Sequence, residues 1–170
     1  MSRATVRAAI ANYLTNAGIT NLSSVKSFPA KYTPEMEFYA GEDPGHSSGA
    51  ILFIYFESQQ ETRIALGGAH SGRKAVEYTV VLDCFFRSTE PKSEVAGQQN
   101  EAFIDSLEAA IRADRTANSA GVIFQWGEGT FPGSADLNVT SYYPRMLAGG
   151  QSVTQIYSSI RVSVIEILNT

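Results

Sequence analysis

The thirteen-odd residues from Ala75 to Arg87 constrain the fold more than any other stretch. Val76, Tyr78, Val80, Leu82, Cys84 and Phe86 fall on one side of a two-residue repeat. Glu77, Thr79, Asp83 and Arg87 fall on the other, joined there by Val81 and Phe85. A helix would scatter these positions around its axis, whereas an extended strand collects them on one face. The stretch 153–168 repeats the pattern, with Ile156, Ile160, Val162 and Val164 set against Tyr157, Ser159, Arg161 and Ser163. Ala50 to Phe56 is different, because it is apolar at odd and even positions alike. Both faces of such a strand must be covered, by core on both sides or by core and a second layer or subunit.

Two stretches carry the helical period instead. Val6, Ile10, Tyr13, Leu14 and Ala17 predict a helix over 3–17, with Ser2 as N-cap and Gly18 just past its end. Val95, Phe103, Leu107, Ala110 and Ile111 form the stripe of a second helix over 91–113, with Ile104 at its edge. Thr89 is its candidate N-cap and Pro91 suits the first turn. Thr62–Leu66 and Ala75–Arg87 read as the arms of a hairpin, with Gly67–Lys74 as the tip. Shorter strands are predicted at 25–28, 122–126 and 137–143, and 40–49 is loop chemistry. Helix, strands, helix, strands is the order of an α+β domain. The expectation is one domain over 1–170, with a largely antiparallel sheet, two main helices packed on one face and an extended β-hairpin.

Charge narrows the function. The chain has a formal net charge of -4 and no basic cluster that would neutralise several phosphates. Nucleic-acid recognition is therefore not expected. Neither a signal peptide nor a membrane span is legible, so assembly in the cytoplasm is expected. Cys84 is the single cysteine, which excludes an internal disulfide. Charge is also unevenly spread. Residues 1–31 carry Arg3, Arg7, Lys26 and Lys31 without an acid, and 32–62 carry Glu35, Glu37, Glu42, Asp43, Glu57 and Glu61 without a base. The segregation is either a run of solvated charges or a pair of complementary surfaces that meet between neighbouring subunits.

No constellation points to catalysis. Gly67 and Gly72 are spaced as in a phosphate-binding loop, but Arg73-Lys74 and an alternating strand follow where Lys-Ser/Thr and a helix belong. His46 and His70 lie in loops without a partner at metal-ligand spacing. Cys84 sits on an apolar strand face, which suits a buried thiol rather than a nucleophile. Glu101, Asp105 and Glu108 share a helix face that is read as solvated. No Gly-x-Ser-x-Gly elbow occurs. Neither cofactor nor metal is expected. Trp126, Tyr142 and Tyr143 border loops, as core-edge residues or as interface anchors.

With these segments in place, the chain resembles the tail terminator (tail completion) proteins of long-tailed bacteriophages. The likeness lies in the opening helix Val6–Leu14, the tip Gly67–Lys74 leading into Val76–Phe86, the helix end Ile111–Arg115, the strand Val122–Glu128 and the closing strand 153–168. The resemblance implies a non-enzymatic virion protein at the head-proximal end of the tail. It implies a hexameric ring that caps the tail tube and joins it to the head connector. On that basis Arg3 and Arg7 are expected to face Glu35, Glu37, Glu42 and Asp43 of the next subunit. His70, Ser71, Arg73 and Lys74 of the tip, or else the Gly-rich loop 127–134, are expected to contact the tail tube protein or the head–tail connector protein. The alternatives are another neck or tail-tube subunit, or a small ligand-binding domain or enzyme.

Overall fold

The computed structural model describes residues 3–29, 48–66, 72–88, 90, 92–114, 116, 124–126, 138–142 and 154–169. The elements follow in the order α1 (Arg3–Asn16), β1 (Leu22–Lys26), β2 (Ser48–Leu66), β3 (Gly72–Ser88), α2 (Ser93–Ala113), β4 (Phe124–Trp126), β5 (Asn138–Tyr142) and β6 (Thr154–Asn169). The fold is α+β, with a mostly antiparallel sheet and both helices on one face. Ser2, the expected N-cap of α1, lies outside the described residues, as do Thr89 and Pro91. The N-cap position of α2 is Lys92, which makes no side-chain cap, and not the expected Thr89, because the helix begins only at Ser93.

Four strands run side by side in the order β1-β2-β3-β6, and β4 and β5 both pair with the far edge of β6. Only the β1–β2 pair is parallel. β5 meets β6 over 157–161 and β4 meets it over 164–166, so these two short strands lie end to end. The start of β2 needs glycine. Gly49 has φ 155, and a side chain there would run into Ser23 and the Asn21 carbonyl. That close approach lets the Ala50 N–H donate to the Asn21 carbonyl at 2.8 Å.

The core lies between the helices and the even-numbered face of the sheet. Val6, Ile10 and Leu14 of α1 and Phe103, Leu107 and Ile111 of α2 are fully buried. They join Leu52, Ile54, Val80, Leu82, Phe86, Ile160 and Val164 in one cluster. Each such side chain contributes about 1.5–3 kcal/mol. α1 ends where Thr15 and Asn16 donate to the carbonyls of Ala11 and Asn12, and Gly18 follows at φ 67. The Tyr13 hydroxyl then donates to the Ala110 carbonyl at 2.7 Å and ties α1 to α2.

Both faces of Ala50–Ile54 are withdrawn from solvent, as their unbroken apolar run requires. Ile51 and Phe53 on the helix-free side are buried along with Leu52 and Ile54. One expectation needs correction. The segments 50–56 and 62–66 are not separate strands but parts of one strand of 19 residues. The polar residues between them stay extended because the register slips at Glu57, between Phe56↔Val80 and Ser58↔Thr79. That bulge exchanges the faces from Ser58 to Arg63, so polar Gln59 stands opposite buried Tyr78.

Candidate assembly surface

The distal half of the β2–β3 hairpin departs most from a simple core. Glu57 to Arg63 are all exposed, and β1 accompanies β2 only as far as Phe53. Among the described residues no strand pairs with the outer edge of β2 beyond that point. The blade is held on its other side, where β3 pairs with β6 from Arg73 to Ser88. A second register slip, between Arg63 and Ala65, bends β2 just before the tip.

Three polar ties fix this blade. On the helix side, Arg3 Nε donates to Gln59 Oε1 at 2.6 Å, and Lys74 Nζ meets Glu61 at 2.5 Å. On the helix-free side, Glu57 takes a two-bond grip from Arg161, each bond at 3.0 Å. The bulge places Glu57 within reach of β6, and the Arg161 hydrogen bonds pull its carboxyl below the usual range. Ser58 also donates to Thr79 at 2.9 Å.

The helix-free face carries an aromatic ladder across the strands. Phe28 packs edge-on against Phe53 at 6.0 Å, Phe53 against Phe85 at 5.6 Å, and Phe85 against Tyr157 at 5.0 Å. Phe28 is 52% exposed, so the ladder reaches the surface at its β1 end. At the other end the Tyr157 hydroxyl donates to the buried Asp83 carboxylate at 2.7 Å. Tyr55 bonds the same carboxylate, and its phenol is pushed up to about 12 by burial first and by the Asp83 charge second. Tyr157 is raised further, by burial and then by the same hydrogen bond. On the helix side Tyr78 donates to Glu166 at 3.0 Å and is raised to about 12, again by burial first.

The residues singled out by sequence divide into four groups. Arg3 and Lys74, assigned to different surfaces, come together at Gln59 and Glu61, neighbours on one face of β2. Arg7 is half-buried on α1, and Arg73 is exposed near the tip. Glu35, Glu37, Glu42, Asp43, His46, His70, Ser71 and Tyr143 lie outside the described residues. Trp126 and Tyr142 are placed by backbone register, opposite Val164 and Tyr157. Sequence reasoning missed the Asp83–tyrosine set and the Glu57–Arg161 pair. The available signal was an acid, Asp83, and a base, Arg161, each midway along a strand on the face opposite its apolar stripe.

Chemically, the described surface offers hydrogen-bonding edges and aromatic area. Among the described residues, no group of His, Cys, Asp and Glu could hold a metal ion, and no helix is long and apolar enough to cross a membrane. Burial holds the Cys84 thiol well above its ordinary range, so it is a poor nucleophile. No family model matches the chain, and no curated protein matches it.

Proposed function

We propose that the chain is a structural subunit of a phage tail, a tail terminator whose hexameric ring caps the tail tube and meets the head connector. The observation that carries this reading is the exposed half of the β2–β3 hairpin, a polar blade anchored by Arg161, Arg3 and Lys74 and running past the last pairing with β1. An ordered blade of this kind loses conformational entropy without burying apolar area on its own, so it suits a contact made on assembly. The low share of charged residues, 18%, agrees with a surface that meets other proteins.

Two measurements test the reading. Native mass spectrometry of the chain mixed with its tube subunit should show a six-fold multiple of 18.4 kDa. A chain that stays at the mass of one copy under all conditions overturns the ring. Replacing 68–72 by Asn-Gly, which closes a two-residue hairpin, should leave the strands paired and give overlong or headless tails. Normal tail length together with normal head joining would remove the tip from the contact.

A further inference from the structure

The outer edge of β2 from Ile54 to Leu66 is a long row of backbone donors and acceptors with no strand beside it among the described residues. Such an edge is a template for an added strand, and a soluble protein must blunt it or fill it. The charges along this edge point to what fills it. An antiparallel copy of the same strand can be laid beside it in several registers, and they are not equivalent. Centring on Gln59 brings Glu57 level with Glu61 but on opposite faces and so offers no charge pair, centring on Glu61 sets that acid against itself, and centring on Arg63 sets two guanidinium groups together. Like charges directly opposite one another are destabilising. Centring on Gln60 would bring Glu57 level with Arg63, but the bulge puts these two on opposite faces. Centring on Thr62 sets Glu61 against Arg63 twice, and both residues lie on the helix-side face, opposite Val76 and Lys74 of β3, where Glu61 holds Lys74 as well.

We infer that two copies of the free chain pair antiparallel along this edge, on a two-fold axis at Thr62. Glu61 of each copy faces Arg63 of the other. The regular part of the seam is short, because the register slip after Arg63 places Ile64 at the bulge. The contact is therefore weak and reversible, as suits a cover for an edge that later meets another partner. It does not depend on the ring reading, since a ring is joined head to tail and never brings Thr62 of two copies together.

The experiment uses the full chain under oxidising conditions, with the variant Thr62→Cys. Cross-strand neighbours lie about 4.5–5.5 Å apart, which is within reach of a disulfide. Cys84 is buried and does not compete. T62C should form a covalent dimer on a non-reducing gel. Q60C should not, because four residues of offset separate the two copies of position 60 by roughly 13 Å. In sedimentation, Glu61→Arg or Arg63→Glu alone should weaken wild-type dimerisation about tenfold or more, and the double exchange should restore it. A monomeric wild-type chain at all concentrations, with no T62C dimer, overturns the seam and leaves the bulges and charges as edge protection. Equal cross-linking of T62C and Q60C overturns the register. Either result leaves the six-fold mass measurement with the tube subunit unaffected, so failure of the seam and failure of the ring are read separately.

Discussion

At the scale of single residues, Asp83 is a tightly constrained polar group. It is 8% exposed in the middle of a sheet and is satisfied by two phenols from different strands. Removing one of them leaves a buried carboxylate short of a donor. Tyr157→Phe should therefore lower stability by about 1–3 kcal/mol in urea unfolding. An unchanged midpoint would show that the hydrogen bond contributes nothing net. The phenols also set an alkaline limit. Their pKa values are raised on folding, from 10.0 to about 12 for Tyr55 and Tyr78. A raised group favours the fold fully below its unfolded value and loses that contribution as pH climbs through the folded one. Stability should hold up to about pH 10 and fall between 10 and 12, with phenolate absorbance from these tyrosines appearing late. Absorbance that rises as in free tyrosine would contradict the burial.

Among the elements, the β2–β3 hairpin depends on the Glu57 bulge. The slip turns Glu57 toward Arg161 and hands the helix-side face to Gln59 and Glu61, where Arg3 and Lys74 find them. Both members of the Glu57–Arg161 pair are more than a third exposed, so its net contribution is small. Arg161→Met should change global stability by less than about 1 kcal/mol. Amide exchange over 58–63 should nonetheless accelerate, because the blade loses its tie to β6. The depressed Glu57 carboxyl gives the sign of the pH effect. Its contribution is present above the unfolded value of 4.5 and is lost as pH falls through the lower folded one. In the wild type, protection of 58–63 relative to the intrinsic exchange rate should therefore fall in acid. In R161M that protection should already be low at neutral pH, and no difference between the two proteins would mean that backbone pairing alone holds the blade.

At the scale of the whole molecule, the hydrophobic core of the described residues lies between the helices and the sheet. Phe103 of α2 stacks on Phe86 of β3 at a ring separation of 6.4 Å, and both are fully buried. That contact joins the helical layer to the centre of the sheet, where β3 lies between β2 and β6. Phe103→Ala should cost about 3–5 kcal/mol through lost burial and the cavity left behind. Thermal unfolding should show a single transition at lower temperature. A loss below about 1 kcal/mol would mean that the neighbouring side chains collapse into the space.

The sequence by itself determined which residues face the core. The two-residue period of 75–87 and 153–168 and the helical period of 3–17 and 91–113 place Val80, Ile160, Ile10 and Leu107 correctly without any knowledge of neighbours. Burial of apolar area is a local demand on each element, so each element carries its own record of it. The tertiary structure alone decided that 48–66 is one strand with a bulge. It also decided that Asp83 meets Tyr55 and Tyr157, and that Arg3 and Lys74 reach the same segment of β2. Register explains the difference. The partners Arg161 and Glu57 lie 104 positions apart in the chain, and a shift of one residue in either strand pairing would turn them to opposite faces. No local period records that choice, because it is made only when β2, β3 and β6 align.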